Sequence, residues 1–220
     1  HWIRSPSAWS QPACPNGVLI LTVGVPEVTE DACAVVANAG EAAPVAANSG
    51  REVLSIDATG RLATPPFVDS HFHLDSTLTY GRPRVNASGT LLEGIALWGE
   101  LKPDLTVEDI KARAIKLCHW AIARGTLAIR SHVDISDDRL LAVKALLAVR
   151  EEIKPYVDLQ LVAFPQDGYL RYPGSADNLR QALDLGIDVI GGIPHFERTM
   201  ADGAASIKSL CELAVERGLQ

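Results

Sequence analysis

Pro65-Pro66-Phe67-Val68-Asp69-Ser70-His71-Phe72-His73-Leu74-Asp75 is the stretch that decides the fold. A short apolar strand ends here in His-x-His. Side chains two apart on a strand share a face, so both imidazoles can reach one metal ion at the strand's C-terminal end. Parallel α/β folds put their chemistry at that end. Two histidines can also do no more than close a strand with polar groups. The flanks favour metal binding, because a buried-type strand precedes the pair and Leu74-Asp75 and a polar loop follow it.

A rhythm runs outward from this strand. Further strand candidates are Leu127–Val133, Leu159–Phe164 and Val189–Gly192. Helical patterns separate or follow them at 106–124, 137–152, 176–186 and 203–218. Thr106 followed by Asp109 resembles a capping box with Asp in place of Glu. Gly125, Gly186 and Gly218 fall where helices should stop. Leu140, Leu141, Lys144, Leu147 and Ala148 give the second helix a face of period 3.6. Strands alternating with helices predict βαβ units, a parallel sheet and right-handed crossovers. Residues 1–64 read differently, as part of a small β-domain or a poorly ordered segment. Strand candidates there are Val18–Val23, Ala34–Ala37 and Val53–Ala58.

Composition narrows the function classes. Hydrophobic residues at 47% describe a globular chain, and a net charge of −7 argues against a nucleic-acid partner. A small neutral ligand fits better. No apolar run approaches the roughly 20 residues that span a bilayer, so no membrane partner is expected. The four cysteines are scattered without a Cys-x-x-Cys pair, which suits reduced thiols in a cytoplasm. The chain begins at His1 and its one Met is Met200, so a piece of a longer protein is expected.

Every barrel-type strand ends in polar residues. The second carries Arg130-Ser131-His132-Val133-Asp134, the third runs into Pro165-Gln166-Asp167-Gly168, and the fourth into Pro194-His195-Phe196-Glu197. In a (β/α)₈ barrel this mouth is the active site. Blander readings stand beside that one. His132 and Asp134 form either a hydrogen-bonded pair beneath the site or part of the catalytic set. His195 braces the loop after strand four, and Glu197 is read as a solvated loop charge. His119 is read as a structural residue in mid-helix.

From Pro65 to about Gly218 the chain resembles the N-terminal half of the barrel of the bacterial cytosine deaminases, in the amidohydrolase superfamily. The motifs are residues 65–75, Gly89-Thr90-Leu91-Leu92-Glu93-Gly94-Ile95, Arg130–Asp134, Leu161-Val162-Ala163-Phe164-Pro165-Gln166-Asp167-Gly168 and Ile193-Pro194-His195-Phe196-Glu197. The first motif speaks for the superfamily, and the second and fourth together for the deaminase branch. The resemblance implies a fold: α/β, the first four βα units of a TIM-type barrel over 65–220, preceded by part of a β-domain. It implies one divalent metal ion, Fe(II) or Zn(II), on His71 and His73. It implies Gln166 reading a cytosine-like heterocycle, with Leu91 and Phe164 lining the apolar part of the pocket. His132, Asp134 and His195 would stand behind these groups. The implied reaction is hydrolytic deamination of cytosine, with ammonia as leaving group. Oligomers are the tendency of the full-length family.

The resemblance also sets limits. A further His ligand, the acid/base Glu, another His and a late Asp would follow Gln220. Two imidazoles are one short of the three protein ligands usual for catalytic zinc. Asp75 and Asp134 are weak substitutes for the acid/base. A polypeptide of these 220 residues alone is therefore expected to be inactive. Related readings are a deaminase of isoguanine or of a triazine ring, and a catalytically dead half-barrel with a binding or structural role.

Overall fold

The computed structural model describes residues 36–38, 55–57 and 65–219. The chain divides into two compact units, His1–Phe67 and Val68–Gln220. In the first, β1 (Val36–Asn38) and β2 (Ser55–Asp57) pair in parallel, with Val36 opposite Ser55. β1 overlaps the strand candidate at 34–37 in two residues, and β2 lies within the candidate at 53–58. The candidate Val18–Val23 lies outside the described residues.

From β3 (Phe67–Phe72) onward the chain alternates strand and helix. The strands are β4 (Thr126–Asp134), β5 (Asp158–Phe164) and β6 (Val189–Ile190). The helices are α1 (Leu91–Leu101), α2 (Val107–Ile122), α3 (Leu141–Ile153), α4 (Ser175–Asp184) and α5 (Met200–Arg217). The sheet order is β3-β4-β5-β6, and the β4–β5 and β5–β6 pairs are parallel. Chain order is kept across the sheet, as in consecutive staves of a barrel. A doubly wound sheet would reverse direction partway.

Strand alternation sorts the side chains. On β4 and β5 the odd-numbered residues Ile129, Val133, Leu159, Leu161 and Ala163 are buried in the apolar core. Val143, Leu146 and Val149 of α3 and Ile110 and Ala114 of α2 belong to the same core. The even-numbered residues, among them His132, Asp134, Val162 and Phe164, are left for the opposite face. With Ala128 opposite Asp158, the register sets His132 beside Val162 and Asp134 beside Phe164.

Several local outcomes differ from the sequence reading. The buried face of α3 is Ala142, Val143, Ala145, Leu146, Val149 and Ile153, whereas Lys144 and Ala148 of the expected face are exposed. The strand before the histidine pair is not buried either, since Phe67 and Val68 of β3 are exposed. Helix α1 had no helical expectation, because Gly94 and Gly99 each cost about 1 kcal/mol relative to Ala inside a helix. Burial of Leu97 and Leu101 outweighs that cost, and Thr90 Oγ1 caps the helix by accepting from the Glu93 N–H. Helix α3 starts at Leu141 instead of 137. The Asp137 carboxylate accepts from the Arg139 N–H and the Leu140 N–H donates to the Asp137 carbonyl, which makes a turn of those residues. Helix α5 starts earlier than 203, because Thr199 Oγ1 accepts from the Asp202 N–H and caps it. The expected helix stops hold: Gly125, Gly186 and Gly218 follow α2, α4 and α5 with left-handed backbones.

Leu146 is 0% exposed and lies at the centre of the α3 interface. Leu146→Ala is expected to destabilise the chain by about 2–5 kcal/mol. Urea unfolding followed by circular dichroism measures it.

Candidate active site

Three imidazoles meet at the C-terminal ends of β3 and β4. The His71 and His73 ring centroids are 5.4 Å apart, as the period of two on one strand requires. His132 enters from the neighbouring strand. Its ring lies 4.1 Å from His71 and 5.4 Å from His73. One nitrogen from each of the three lies within 4.8 Å of the others. Phe164 closes the cluster from β5, meeting the His73 and His132 rings edge-on at 5.5 and 5.4 Å.

The donor set fits a divalent cation. His132 Nδ1 is buried without a hydrogen-bond partner. Such an orphaned atom costs free energy unless something satisfies it. Burial pushes the His132 imidazole down to about 4, and repulsion from His71 and His73 adds to that. Burial also lowers His73, with His71 adding and the Asp134 charge opposing. Both rings are therefore neutral at pH 7 and keep a lone pair to donate. Imidazole suits zinc and iron alike. Sequence reasoning placed His132 behind the site. The signal that would have moved it forward is the pairing of β4 with β3, which period alone does not reveal.

Beside the cluster lies a cleft of about 320 Å³, bordered by His73, Asp75, Leu91, Ile95, Trp98 and Gln166. Gln166 is half-buried there, and its side-chain amide has no hydrogen-bond partner among the described residues. Leu91, 70% exposed, opens α1 on the cleft wall. Phe164 is only 8% exposed and supports the imidazoles from below. His195 is exposed in the short 3₁₀ turn Pro194–Phe196, outside the imidazole cluster. Glu197 departs from the reading of a solvated charge. Its carboxylate accepts the N–H groups of Tyr169, Leu170 and Arg171.

Two buried carboxylates frame the site. Asp134 Oδ1 accepts the Ser136 N–H, and Oδ2 receives the Trp98 indole N–H at 2.6 Å and the Lys102 ammonium at 2.8 Å. Its own N–H donates to Asp75 Oδ2 at 2.8 Å. Asp75 Oδ1 accepts from the Ser76 N–H. Burial opposes the charge on Lys102, but Asp134 and Asp167 outweigh it and hold the ammonium protonated. Burial raises Asp75 to about 7 against the pull of its N–H donors. These bonds tie both carboxylates to the surrounding backbone and side chains. Among the described residues, no hydrogen bond joins His132 to Asp134.

The shifts give a pH test on metal-free protein. An unfolded His binds its proton near 6.5, and folded His132 near 4. The unfolded chain takes up the proton first, so this group's effect is absent above about 6.5 and destabilises as pH falls toward 4. Asp75 acts oppositely: its folded value of about 7 exceeds 3.8, so stability declines as pH rises through that window. The wild-type profile mixes the two. The difference between wild type and His132→Gln isolates the imidazole: the variant should gain relative stability steadily from pH 7 to pH 4. Urea midpoints in the presence of a chelator measure it, and a constant difference would contradict the assigned burial.

Comparison with known proteins agrees with this geometry. The Amidohydrolase family model matches residues 55–220. A crystal structure of 5-methylcytosine deaminase from Klebsiella pneumoniae, liganded with phosphonocytosine, superimposes with a TM-score of 0.74 at 46% sequence identity. That match covers 81% of this chain and 43% of the Klebsiella chain. N-isopropylammelide isopropylaminohydrolase from Burkholderia multivorans matches at 31% identity with a TM-score of 0.58, over 70% of this chain and 38% of that one. N-isopropylammelide isopropyl amidohydrolase of Pseudomonas sp. (strain ADP) is 38% identical over 143 residues, 63% of this chain and 36% of its own length. The chain thus spans less than half the length of these relatives. The parallel β/α units match part of the TIM-barrel fold of a deaminase, and the chain belongs to the amidohydrolase family.

Proposed function

We propose that this chain supplies the metal-binding and substrate-reading part of a cytosine deaminase-type amidohydrolase. The observation that carries the reading is a convergence at one sheet mouth: three imidazoles from the ends of β3 and β4, and beside them a cleft holding an unpartnered carboxamide. The likeness to the Klebsiella enzyme, crystallised with phosphonocytosine and with 5-fluorocytosine, supports the substrate class.

His71 and His73 are the ligands of the ion, Fe(II) or Zn(II), and His132 supplements or orients them from the adjacent strand. A divalent ion lowers the pKa of water and makes hydroxide available at neutral pH. Gln166 offers one donor and one acceptor together. That pair matches the adjacent N–H and C=O of a pyrimidine amide edge and turns the ring carbon bearing the exocyclic amine toward the imidazoles. Leu91 covers the ring from α1. Phe164 holds the His73 and His132 planes and keeps water from beneath them. Asp75 and Asp134 are committed to the framework, so neither is the proton shuttle. We place the reaction in a cytoplasm; Cys118 and Cys211 are both free thiols. No helix among the described residues is long and apolar enough to cross a membrane.

A triazine ring is the second reading, favoured by the likeness to two N-isopropylammelide hydrolases. Cytosine, isoguanine and N-isopropylammelide assayed side by side on the natural protein that carries these residues separate the readings. Cytosine should be the substrate with the highest kcat/KM.

Two variant sets test the site. His71→Ala and His73→Ala should each abolish metal retention, and His132→Ala should weaken it by about 10–100-fold. Metal analysis after gel filtration reads the result. Full metal content in the first two variants would remove the assignment. Gln166→Ala should lower turnover efficiency by about 1–3 kcal/mol, because it leaves a buried ring edge unpaired, with bound metal unchanged. Steady-state kinetics on pyrimidines check this, and unchanged kinetics on all of them would exclude the role.

A further inference from the structure

The segment that carries Gln166 is held at nearly every point except the Gln166 amide. The Gln166 N–H donates to the Phe164 carbonyl at 2.9 Å, and the Gly168 N–H to the Pro165 carbonyl at 2.8 Å. The Asp167 N–H donates to Ser136 Oγ at 3.0 Å, and the Asp167 carboxylate accepts from Lys102 at 2.7 Å. Beyond Gly168 the backbone wraps one carboxylate. Glu197 Oε1 accepts from Tyr169 at 2.6 Å and Leu170 at 3.1 Å, and Oε2 accepts from Arg171 at 2.9 Å. Successive N–H groups converging on one anion form a concavity that neutral oxygens fill poorly.

The turn is shaped for that anion. Gly168 has φ +93°, a backbone that L side chains rarely adopt. A Cβ there would sit 2.7 Å from Arg171 Cβ and 3.1 Å from Glu197 Oε2. Only glycine lets the loop close on the carboxylate. From the loop after β5, Arg171 also donates to the carbonyl of Phe196, which follows β6, and lies over the Phe196 ring at 4.4 Å. The loop after β5 is thus bolted to the turn after β6 across the mouth of the sheet.

We propose that Glu197 is a positioning residue for Gln166: its carboxylate fixes the 168–171 turn and through it the place of the recognition amide in the cleft. This rests on the assignment of Gln166 as the substrate-reading group. Glu197 belongs neither to the imidazole cluster nor to the residues that border the cleft, so its loss should alter recognition and spare the metal.

The test is a double-mutant cycle in the natural protein that carries these residues. Glu197→Gln is isosteric, but its NH₂ faces N–H donors and leaves at least one without an acceptor. That variant should raise KM for cytosine about tenfold, the equivalent of one lost charged hydrogen bond, with kcat and bound metal within about twofold of wild type. In a Gln166→Ala background the same change should raise KM no further, because coupled residues do not add. Glu197→Asp keeps the charge with a shorter reach and provides the same reading if the Gln variant does not fold. Faster exchange of the Tyr169–Arg171 amides in either variant reports the released turn. An unchanged KM in Glu197→Gln, or an equal rise in both backgrounds, overturns the proposal. Should Gln166→Ala alone leave both kcat and KM unchanged, the substrate-reading assignment fails first, and Glu197 has nothing to position.

Discussion

The structure around the site depends on one buried carboxylate. Asp134 is 3% exposed, yet it is bonded to the Trp98 indole, the Lys102 ammonium and the Ser136 N–H. Its backbone N–H reaches back to Asp75 after β3. One residue thus joins the ends of β3 and β4 through its backbone N–H, and its side chain ties them to α1 and, through Lys102, to the loop after β5. A buried ion pair of this kind adds little net stability against a hydrophobic replacement, but removing one partner typically costs about 3–5 kcal/mol. Its value is geometric. It ties together four segments around the cleft: the ends of β3 and β4, α1 and the loop after β5.

The imidazole cluster is the opposite kind of arrangement. Three rings crowd together, and His132 Nδ1 is buried without a partner. The loss of water, and after it repulsion from the neighbouring rings, pushes the protons off His73 and His132. Such a cluster costs stability in the metal-free chain and gains it back when a cation arrives, because whatever binds only the folded state stabilises it. A satisfied network next to a deliberately unsatisfied one is how a rigid frame presents reactive groups.

Much of this was legible in the chain. Strand and helix order followed from the alternation of apolar runs with 3.6-period segments, and the His71–His73 pair followed from the period of two. The helix stops at Gly125, Gly186 and Gly218 were visible because glycine has a local, context-free reason to be there. Less legible was α1, where Gly94 and Gly99 argue against a helix and burial of Leu97 and Leu101 overrides them. Glu197 was read as a solvated charge because nothing in Pro194-His195-Phe196-Glu197 shows that three N–H groups from residues 169–171 will surround it.

The sequence by itself determined what local physics controls: which segments are strands, that His71 and His73 share a face, where α2, α4 and α5 stop, and that polar residues gather at one end of every strand. Tertiary structure decided what depends on neighbours far away in the chain. It brought His132 to 4.1 Å from His71 across 61 positions, gave the Asp134 carboxylate to Trp98 and Lys102, and closed the 168–171 turn on Glu197. The physical reason is range. Backbone periodicity acts over a few residues and is written in their types, whereas the pairing of one strand with the next is set by burial of a shared core.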